Sequence, residues 1–547
     1  MKLLIVGGVA GGATSAARAR RIDEHSEIIM FERGEFISFA NCGLPYYIGG
    51  EIKKRDNLLL TTPDDFRSRY RIDVRTFSEV IDIDLKKKEV TVKDLKSGST
   101  YKETYDRMIL SPGAEPLRPP IEGIDLEHIY QLRNIPDTDR IKAFVDSGKV
   151  KSAVIVGGGF IGLEMAESLA SREVRVTIVE MLNQVMAPLD YEMAAMVQDH
   201  LKEKGVRLML ANGVTRFSRH GDGLAVSTTN GEEISCDMVL LSAGVKPESM
   251  LAKKSGLELN DRGGIVVNDS LQTSDPFIYA TGDAVEIKDF VTGFKTMVPL
   301  AGPANKQGRI AADNVMGRQS VFRGVLGTAV VKVFGLTVAS TGQSEKNLKR
   351  NSIPHLKSHT FSNSHASYYP GAEFMGIKLL FSPGNGKVLG AQIVGGKGVD
   401  KRIDVLATAI KGGMTVYDLE ELELAYAPPY SSAKDPVNMA GFVASNILKH
   451  DVDVIHFDEV KEGLGENDVL LDLRTRIEIK KEGTIDGAIH IPVDDLRANI
   501  HTLDPEKTYV LFCAIGMRGY IASRILSQHG FNVKNLSGGY EIYKLAK

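Results

Sequence analysis

Residues 1–12 read MKLLIVGGVAGG, an apolar run that breaks into glycines at Gly7, Gly8, Gly11 and Gly12. The helix-forming stretch ATSAARARR (13–21) follows, and then EIIMFE, which ends at Glu32. The pattern is strand, glycine turn, helix, and a second strand closing on a carboxylate. It recurs as SAVIV, the turn GGGFIG (157–162), LEMAESLAS and VRVTIVE, which ends at Glu180. In each unit the acidic residue stands about 20 positions beyond the last glycine, the spacing of a dinucleotide fingerprint. Glycines allow a tight turn and close approach of backbone to a pyrophosphate. The helix N-terminus adds free N–H groups and a positive dipole end, and the carboxylate accepts hydrogen bonds from a ribose. The second turn supplies Gly157, Gly159 and Gly162. In the first, Val9 stands in place of the middle glycine, so its side chain must point away from the phosphates.

Two nucleotide sites in one chain imply a resident flavin and an exchangeable nicotinamide, between which hydride passes. Glu180 would bond a ribose 2′-hydroxyl and repel a 2′-phosphate, and the following MLNQ holds no arginine to reverse that, so NADH is expected over NADPH. The chain of 547 residues is long enough for roughly three or four domains. Its 43% hydrophobic and 25% charged residues are those of a globular protein. A net charge of −3 gives no reason to expect nucleic acid or an anionic membrane as partner. The first apolar run is too short for a secretory signal, and no stretch approaches the ~20 apolar residues that span a bilayer. Three cysteines, Cys42, Cys236 and Cys513, suit a reducing compartment, so a cytoplasmic protein without disulfides or a metal is expected.

A third stretch, IYATGDAV (278–285), puts Asp283 after a strand and a small turn, beside Thr281 and Gly282. Here the chain resembles the two-dinucleotide-binding flavoprotein disulfide reductases, whose ATGD motif gives an aspartate to the flavin ribitol. The stretches SPGAEP (111–116) and SAGVKP (242–247) resemble that family's domain-crossing turns. The resemblance covers about residues 1–445. It implies FAD in the first unit and NAD(P)H in the second, in an α/β chain with two Rossmann-like domains and an α+β dimerisation domain. The expected boundaries are 1–110 with 255–325 for FAD, 111–254 for NAD(P)H, and 326–447 for dimerisation, in a homodimer.

Cys42 lies in FISFANCGLPYY (36–47), a polar and turn-rich setting for a lone thiol. Most disulfide reductases of this fold carry a CxxxxC pair, and here the second cysteine is missing. Pro45 suits the first turn of a helix, and a helix N-terminus would lower the pKa of Cys42. Electrons could then resolve only a bond between Cys42 and an external atom: a mixed disulfide, a persulfide or a sulfenic acid. Cys236, in the strand-like EEISCDMVLL, reads as an inert buried thiol. More closely, SFANCGLPYYIGG (38–50), the GGVAGG turn and AYAPPYSSAKDPVNMAG (425–441) resemble the coenzyme A disulfide reductases, single-cysteine members of the family. That resemblance implies that Tyr426 and Tyr368, with Tyr369 the weaker candidate, reach the partner subunit's cysteine. It assigns coenzyme A contacts to Thr14, Arg18, Arg21, Ser38, Asn41 and Lys434.

After about residue 450 a strand DVLLDLR, the segment AIHIP, and the strand YVLFC with a helix behind it read as a separate α/β domain, 452–547. CAIGMRG (513–519) places Cys513 at the start of a glycine-containing loop closed by Arg518, a geometry that can aim backbone N–H groups at a sulfur anion. With LLDLRT (470–475) and GTIDGAIHIP (483–492), it resembles the rhodanese domains, which carry sulfane sulfur on the loop cysteine. Together the motifs imply an FAD-dependent NADH reductase of coenzyme A disulfide or coenzyme A persulfide (polysulfide), with small-molecule thiols and persulfides as partners. An NADH oxidase or peroxidase cycling through sulfenic acid, a sulfur carrier with a vestigial reductase, and a redox sensor remain alternatives.

Overall fold

The computed structural model describes residues 1–546 and divides the chain into two compact units, Met1–Val185 with Gly205–Gly327, and Met186–Lys204 with the chain from Thr328 on. The first unit holds the two nucleotide-type sheets. One runs Ile278–Ala280, Arg107–Leu110, Lys2–Val6, Glu27–Phe31, Asp73–Arg75, all parallel. Leu3, Leu4 and Ile5 are fully buried, because both faces of a parallel sheet are covered and its strands read as continuous apolar runs. The other runs Arg207–Met209, Arg175–Val179, Ser152–Val156, Met238–Leu241, Ile129–Gln131, also parallel. Ala114–Pro116 and Val245–Pro247, taken from the two proposed crossing turns, pair antiparallel with each other.

In the second unit, five antiparallel strands run in the order Ala329–Val333, Leu336–Gly342, Val388–Gly395, Phe374–Phe381, Leu356–Asn363. Helices Val399–Gly412 and Pro436–Leu448 pack on them. A five-stranded parallel sheet follows, ordered Val454–Ile455, Asn532–Leu536, Thr508–Phe512, Asp468–Asp472, Ile489–His490. AIHIP contributes only the two-residue strand Ile489–His490.

The helix Tyr191–Glu203 belongs to the second unit, although its sequence falls inside the expected NAD(P)H domain. It enters a buried ion cluster. Lys378, fully buried mid-strand, donates to Glu192 at 2.5 Å and to Glu345 at 2.6 Å, and pairs with Asp190 at 3.0 Å. Lys357 donates to Glu345 at 2.9 Å and pairs with Asp458 at 3.4 Å. His359 meets Glu192 at 3.0 Å, and Ser537 through its backbone N–H at 3.1 Å. The cluster therefore ties the five antiparallel strands to the last domain. No described helix is long and apolar enough to cross a membrane.

Candidate active sites

Both glycine turns are shaped as the sequence requires. Gly7 has φ +101°, and a Cβ there would lie 2.1 Å from the Ser111 carbonyl oxygen. Gly157 repeats this at φ +109°, with the Ser242 carbonyl 2.4 Å away. At Gly12 and Gly162 a Cβ would run into the oxygen of the turn itself, at 1.8 Å from Gly7 and 2.2 Å from Gly157, so only glycine lets helix and strand close up. Gly159 caps the second helix and faces open space, which leaves backbone accessible where a phosphate would approach. The two carboxylates play the same part. Glu32 accepts from Gly8 N–H at 2.9 Å, and Glu180 accepts from Gly158 N–H at 2.7 Å and Leu182 N–H at 2.8 Å.

Gly282 donates to Gln307 at 2.7 Å, while the Thr281 hydroxyl beside it is fully buried without a partner. Burial pushes the Asp283 carboxyl up to about 6. A desolvated carboxyl and an unmatched hydroxyl at the end of a nucleotide-type sheet fit a bound group rich in hydroxyls, as FAD is.

Cys42 occupies a short 3₁₀ turn, Asn41–Gly43, ahead of the helix Leu44–Gly49, which carries Pro45 in its first turn. The thiol reaches the surface, yet the surrounding protein desolvates it, and its pKa is raised by that burial and then by the Glu164 and Asp283 carboxylates. The expectation of a lowered pKa is thus corrected: the helix behind Cys42 is only six residues long, and carboxylates from distant segments oppose the anion. Tyr46 donates to Glu164 at 3.1 Å, so the cysteine segment is tied to the second nucleotide helix, Phe160–Ala170. Neither Tyr46 nor Glu164 was singled out by sequence. Cys236 ends a strand, is buried, and has its thiol pushed up to about 12, an inert group.

The residues expected to contact coenzyme A divide between the two units. Thr14 donates to Asn305 at 2.6 Å, and Arg18 is paired with Asp313 at 2.7 Å. Arg21, Asn41 and Lys434 are exposed, while Ser38 holds a left-handed φ of +46° with its N–H on the Gly8 carbonyl at 2.9 Å. In the second unit, Tyr368 and Tyr426 place their hydroxyls 2.9 Å apart on the surface. Tyr369 instead packs against His365.

Cys513 is 1% exposed at the end of the strand Thr508–Phe512, and its Sγ accepts from Gly516 N–H at 3.1 Å. Gly539 (φ +63°) closes the loop from behind: a Cβ there would lie 2.5 Å from the Cys513 carbonyl, which accepts from Tyr540 N–H at 2.8 Å. Arg518, in the first turn of helix Met517–Ser527, donates to both oxygens of Glu478, which holds its guanidinium charged. Glu478 was not anticipated, although T-x-x-E at Thr475–Glu478 is a capping-box signature, and the box is present. Arg474 of LLDLRT is buried over the Tyr540 ring at 3.9 Å and paired with Asp472 at 2.7 Å, a scaffold role.

Two glycine-turn nucleotide sheets, with a surface thiol whose segment bonds to the second nucleotide helix, fit a pyridine-nucleotide-dependent oxidoreductase. Comparison with known proteins places it further. Residues 1–308 match the pyridine nucleotide-disulphide oxidoreductase family, 328–436 its dimerisation domain, and 456–546 the rhodanese-like domain. The chain is 37% identical to a coenzyme A disulfide reductase of Staphylococcus haemolyticus, over 82% of its own length and 100% of that protein. The crystal structure of reduced CoADR-RHD from Bacillus anthracis has 52% identity and a TM-score of 0.97, covering 100% of this chain and 98% of that one. A NAD-dependent persulfide reductase from A. fulgidus has 39% identity and a TM-score of 0.93, covering 99% and 100%. The chain belongs to the pyridine nucleotide-disulphide oxidoreductase family and carries its dimerisation domain and a rhodanese-like domain. Membership implies FAD and NAD(P)H as cofactors.

Proposed function

We propose that the protein is an NADH-dependent reductase of coenzyme A disulfide and coenzyme A persulfide or polysulfide, with Cys42 as its nucleophile and Cys513 as a carrier of sulfane sulfur. One observation carries the reading. Cys42 has no cysteine partner in its unit, since Cys236 is buried in a strand and Cys513 belongs to the other unit. The oxidised state of Cys42 is therefore a bond to an atom brought from outside, and the coenzyme A disulfide reductase and persulfide reductase relatives favour sulfur as that atom. The Cys42 thiolate attacks the disulfide of coenzyme A, forms a mixed disulfide, and releases one coenzyme A thiolate. With the persulfide, attack on the inner sulfur releases hydrosulfide instead. Two electrons and a proton then return Cys42 to thiolate and free coenzyme A as thiol. Bound FAD, replenished by NADH, supplies that electron pair.

The chain's own groups do the rest. In a homodimer the Tyr368–Tyr426 pair donates a proton to the departing thiolate. Coenzyme A contacts fall to Thr14, Arg21, Ser38, Asn41 and Lys434. Arg18 has its charge met by Asp313, so the phosphates rest on the exposed Arg21 and Lys434. Glu180, with no arginine in the four residues after it, supports NADH over NADPH.

The test is anaerobic NADH oxidation by the flavin-loaded protein on coenzyme A disulfide, coenzyme A persulfide and peroxide side by side. Turnover of the sulfur substrates, lost in Cys42→Ser, is expected. Fast peroxide turnover with neither sulfur substrate used would overturn the reading in favour of a sulfenic acid cycle.

A further inference from the structure

Tyr368 and Tyr426 come from different loops, one between strands Leu356–Asn363 and Phe374–Phe381, the other ahead of helix Pro436–Leu448. Within one chain Tyr368 and Tyr426 are 74% and 48% exposed, so little of the chain's own packing fixes them, and the single bond between their hydroxyls cannot by itself hold the loops in register. Something beneath them must.

Arg402, from helix Val399–Gly412, is 1% exposed and has a contact to each loop. Its Nη2 donates to the Ser364 carbonyl at 3.0 Å, four residues before Tyr368, and to the Ser431 hydroxyl at 3.0 Å, five residues after Tyr426. The same nitrogen donates to Asp435 at 2.8 Å, and Nε reaches that carboxylate at 3.2 Å. Asp435 caps the helix that ends the second loop, accepting from Val437 N–H at 3.0 Å. Nη1 donates to Gly398 at 3.2 Å, which anchors the guanidinium to its own helix. Ser431 closes the assembly: its hydroxyl donates to Asp435 at 2.6 Å and its carbonyl accepts from Ala366 N–H at 3.1 Å.

We propose that Arg402 is a positioning residue for the Tyr368–Tyr426 pair: its buried guanidinium pins both loops to one helix and so sets the spacing of the two hydroxyls. The planar fork matters here. An ammonium can keep the charge facing Asp435, but it cannot hold Ser364, Ser431 and Gly398 in fixed directions together. The inference rests on the proton-donating role proposed above for the tyrosines. It concerns the proton-transfer step, since Arg402 is 1% exposed and its donors are spent on the two loops and on its own helix.

The experiment is a double-mutant cycle in the flavin-loaded, full-length enzyme with coenzyme A disulfide. Arg402→Lys is expected to lower kcat about tenfold while KM stays within about twofold. In a Tyr426→Phe background, Arg402→Lys should change kcat by less than about twofold, because the group it positions is gone. Ser431→Ala removes one arm of the tie without disturbing a charge, and it carries the same comparison, with about a threefold effect on wild type, should Arg402→Lys fail to fold. An equal loss in both backgrounds, or an unchanged kcat in the wild-type background, would overturn the inference while leaving the proposed function intact. Full activity of Tyr426→Phe would remove the tyrosine role from the proposed function, and the inference with it.

Discussion

The Arg518 guanidinium donates to both carboxylate oxygens of Glu478, at 2.8 and 2.5 Å, from the first turn of the helix that follows the Cys513 loop. Arg518 holds Glu478 down at about 2, with the backbone and hydroxyl of Thr475 assisting. A depressed carboxylate contributes stability that is fully present above its unfolded pKa near 4.5 and is lost as pH falls toward 2. Glu478→Gln should therefore narrow the stability difference from wild type steadily between about pH 5 and pH 2, read by circular dichroism. It should also slow sulfur transfer from Cys513 about tenfold, since a bidentate charge-assisted pair becomes a single neutral acceptor. Transfer at the wild-type rate would mean that Arg518 is aimed without Glu478.

Cys42 is held back by charges it does not need for nucleophilicity. Burial and the carboxylates of Glu164 and Asp283 raise its pKa, so its thiolate fraction near neutrality is lower than that of an unperturbed cysteine. Replacing Glu164 with Gln removes one of the two repulsive charges. The rate of iodoacetamide modification of Cys42 at pH 7.5 should rise about threefold, and its pH midpoint should move to lower pH. An unmoved midpoint would show that Glu164 is not charged beside the thiol.

Legibility in the sequence followed the range of the interaction. The glycine turns at 7–12 and 157–162 were readable because sterics confined to a few residues dictate them, and Gly7 and Gly157 adopt the left-handed φ that such turns demand. The crossing strands Ala114–Pro116 and Val245–Pro247 were marked by similar local sequence. The protonation of Cys42 was misjudged because its local cue, a proline-led helix, lost to carboxylates at positions 164 and 283 that only the fold brings near. Arg518 and Glu478 lie 40 residues apart, and Tyr46 and Glu164 lie 118 apart, with no periodicity linking them. Lys378, within GIKLLF, carries no local sign of its full burial, because its partners Asp190, Glu192 and Glu345 come from distant segments.

Nicotinamide choice is a further test of the second turn. Glu180 spends its carboxylate on the N–H groups of Gly158 and Leu182, at the strand end where a ribose would sit, and the next residue, Met181, is 79% exposed. Removing the acid and supplying a cation reverses the local charge facing a 2′-phosphate. The double variant Glu180→Ala, Met181→Arg should lower the ratio of kcat/KM for NADH over NADPH by at least about tenfold in steady-state assays. A ratio that does not move would place the selecting group elsewhere.

Lys378 offers the sharpest stability prediction. Its ammonium is fully buried among Asp190, Glu192 and Glu345, and the attraction of these carboxylates outweighs desolvation, raising its pKa and depressing those of Glu192 and Glu345. Lys378→Met would leave three carboxylates in a dry site, with Lys357 and Lys349 answering Glu345 and the His359 imidazole facing Glu192. Stranding one side of a buried ion pair costs about 3–5 kcal/mol, whereas replacing the whole set with neutral groups costs much less. Calorimetry of the intact protein should show a transition moved to lower temperature in Lys378→Met. More than half of that loss should return when Glu192→Gln and Glu345→Gln are added. The carboxylate contribution is present above their unfolded pKa near 4.5, so the wild-type advantage over Lys378→Met should shrink as pH falls below it. A Lys378→Met protein that melts with wild type would show that water reaches the cluster and that these charges do not tie the last domain to the strands.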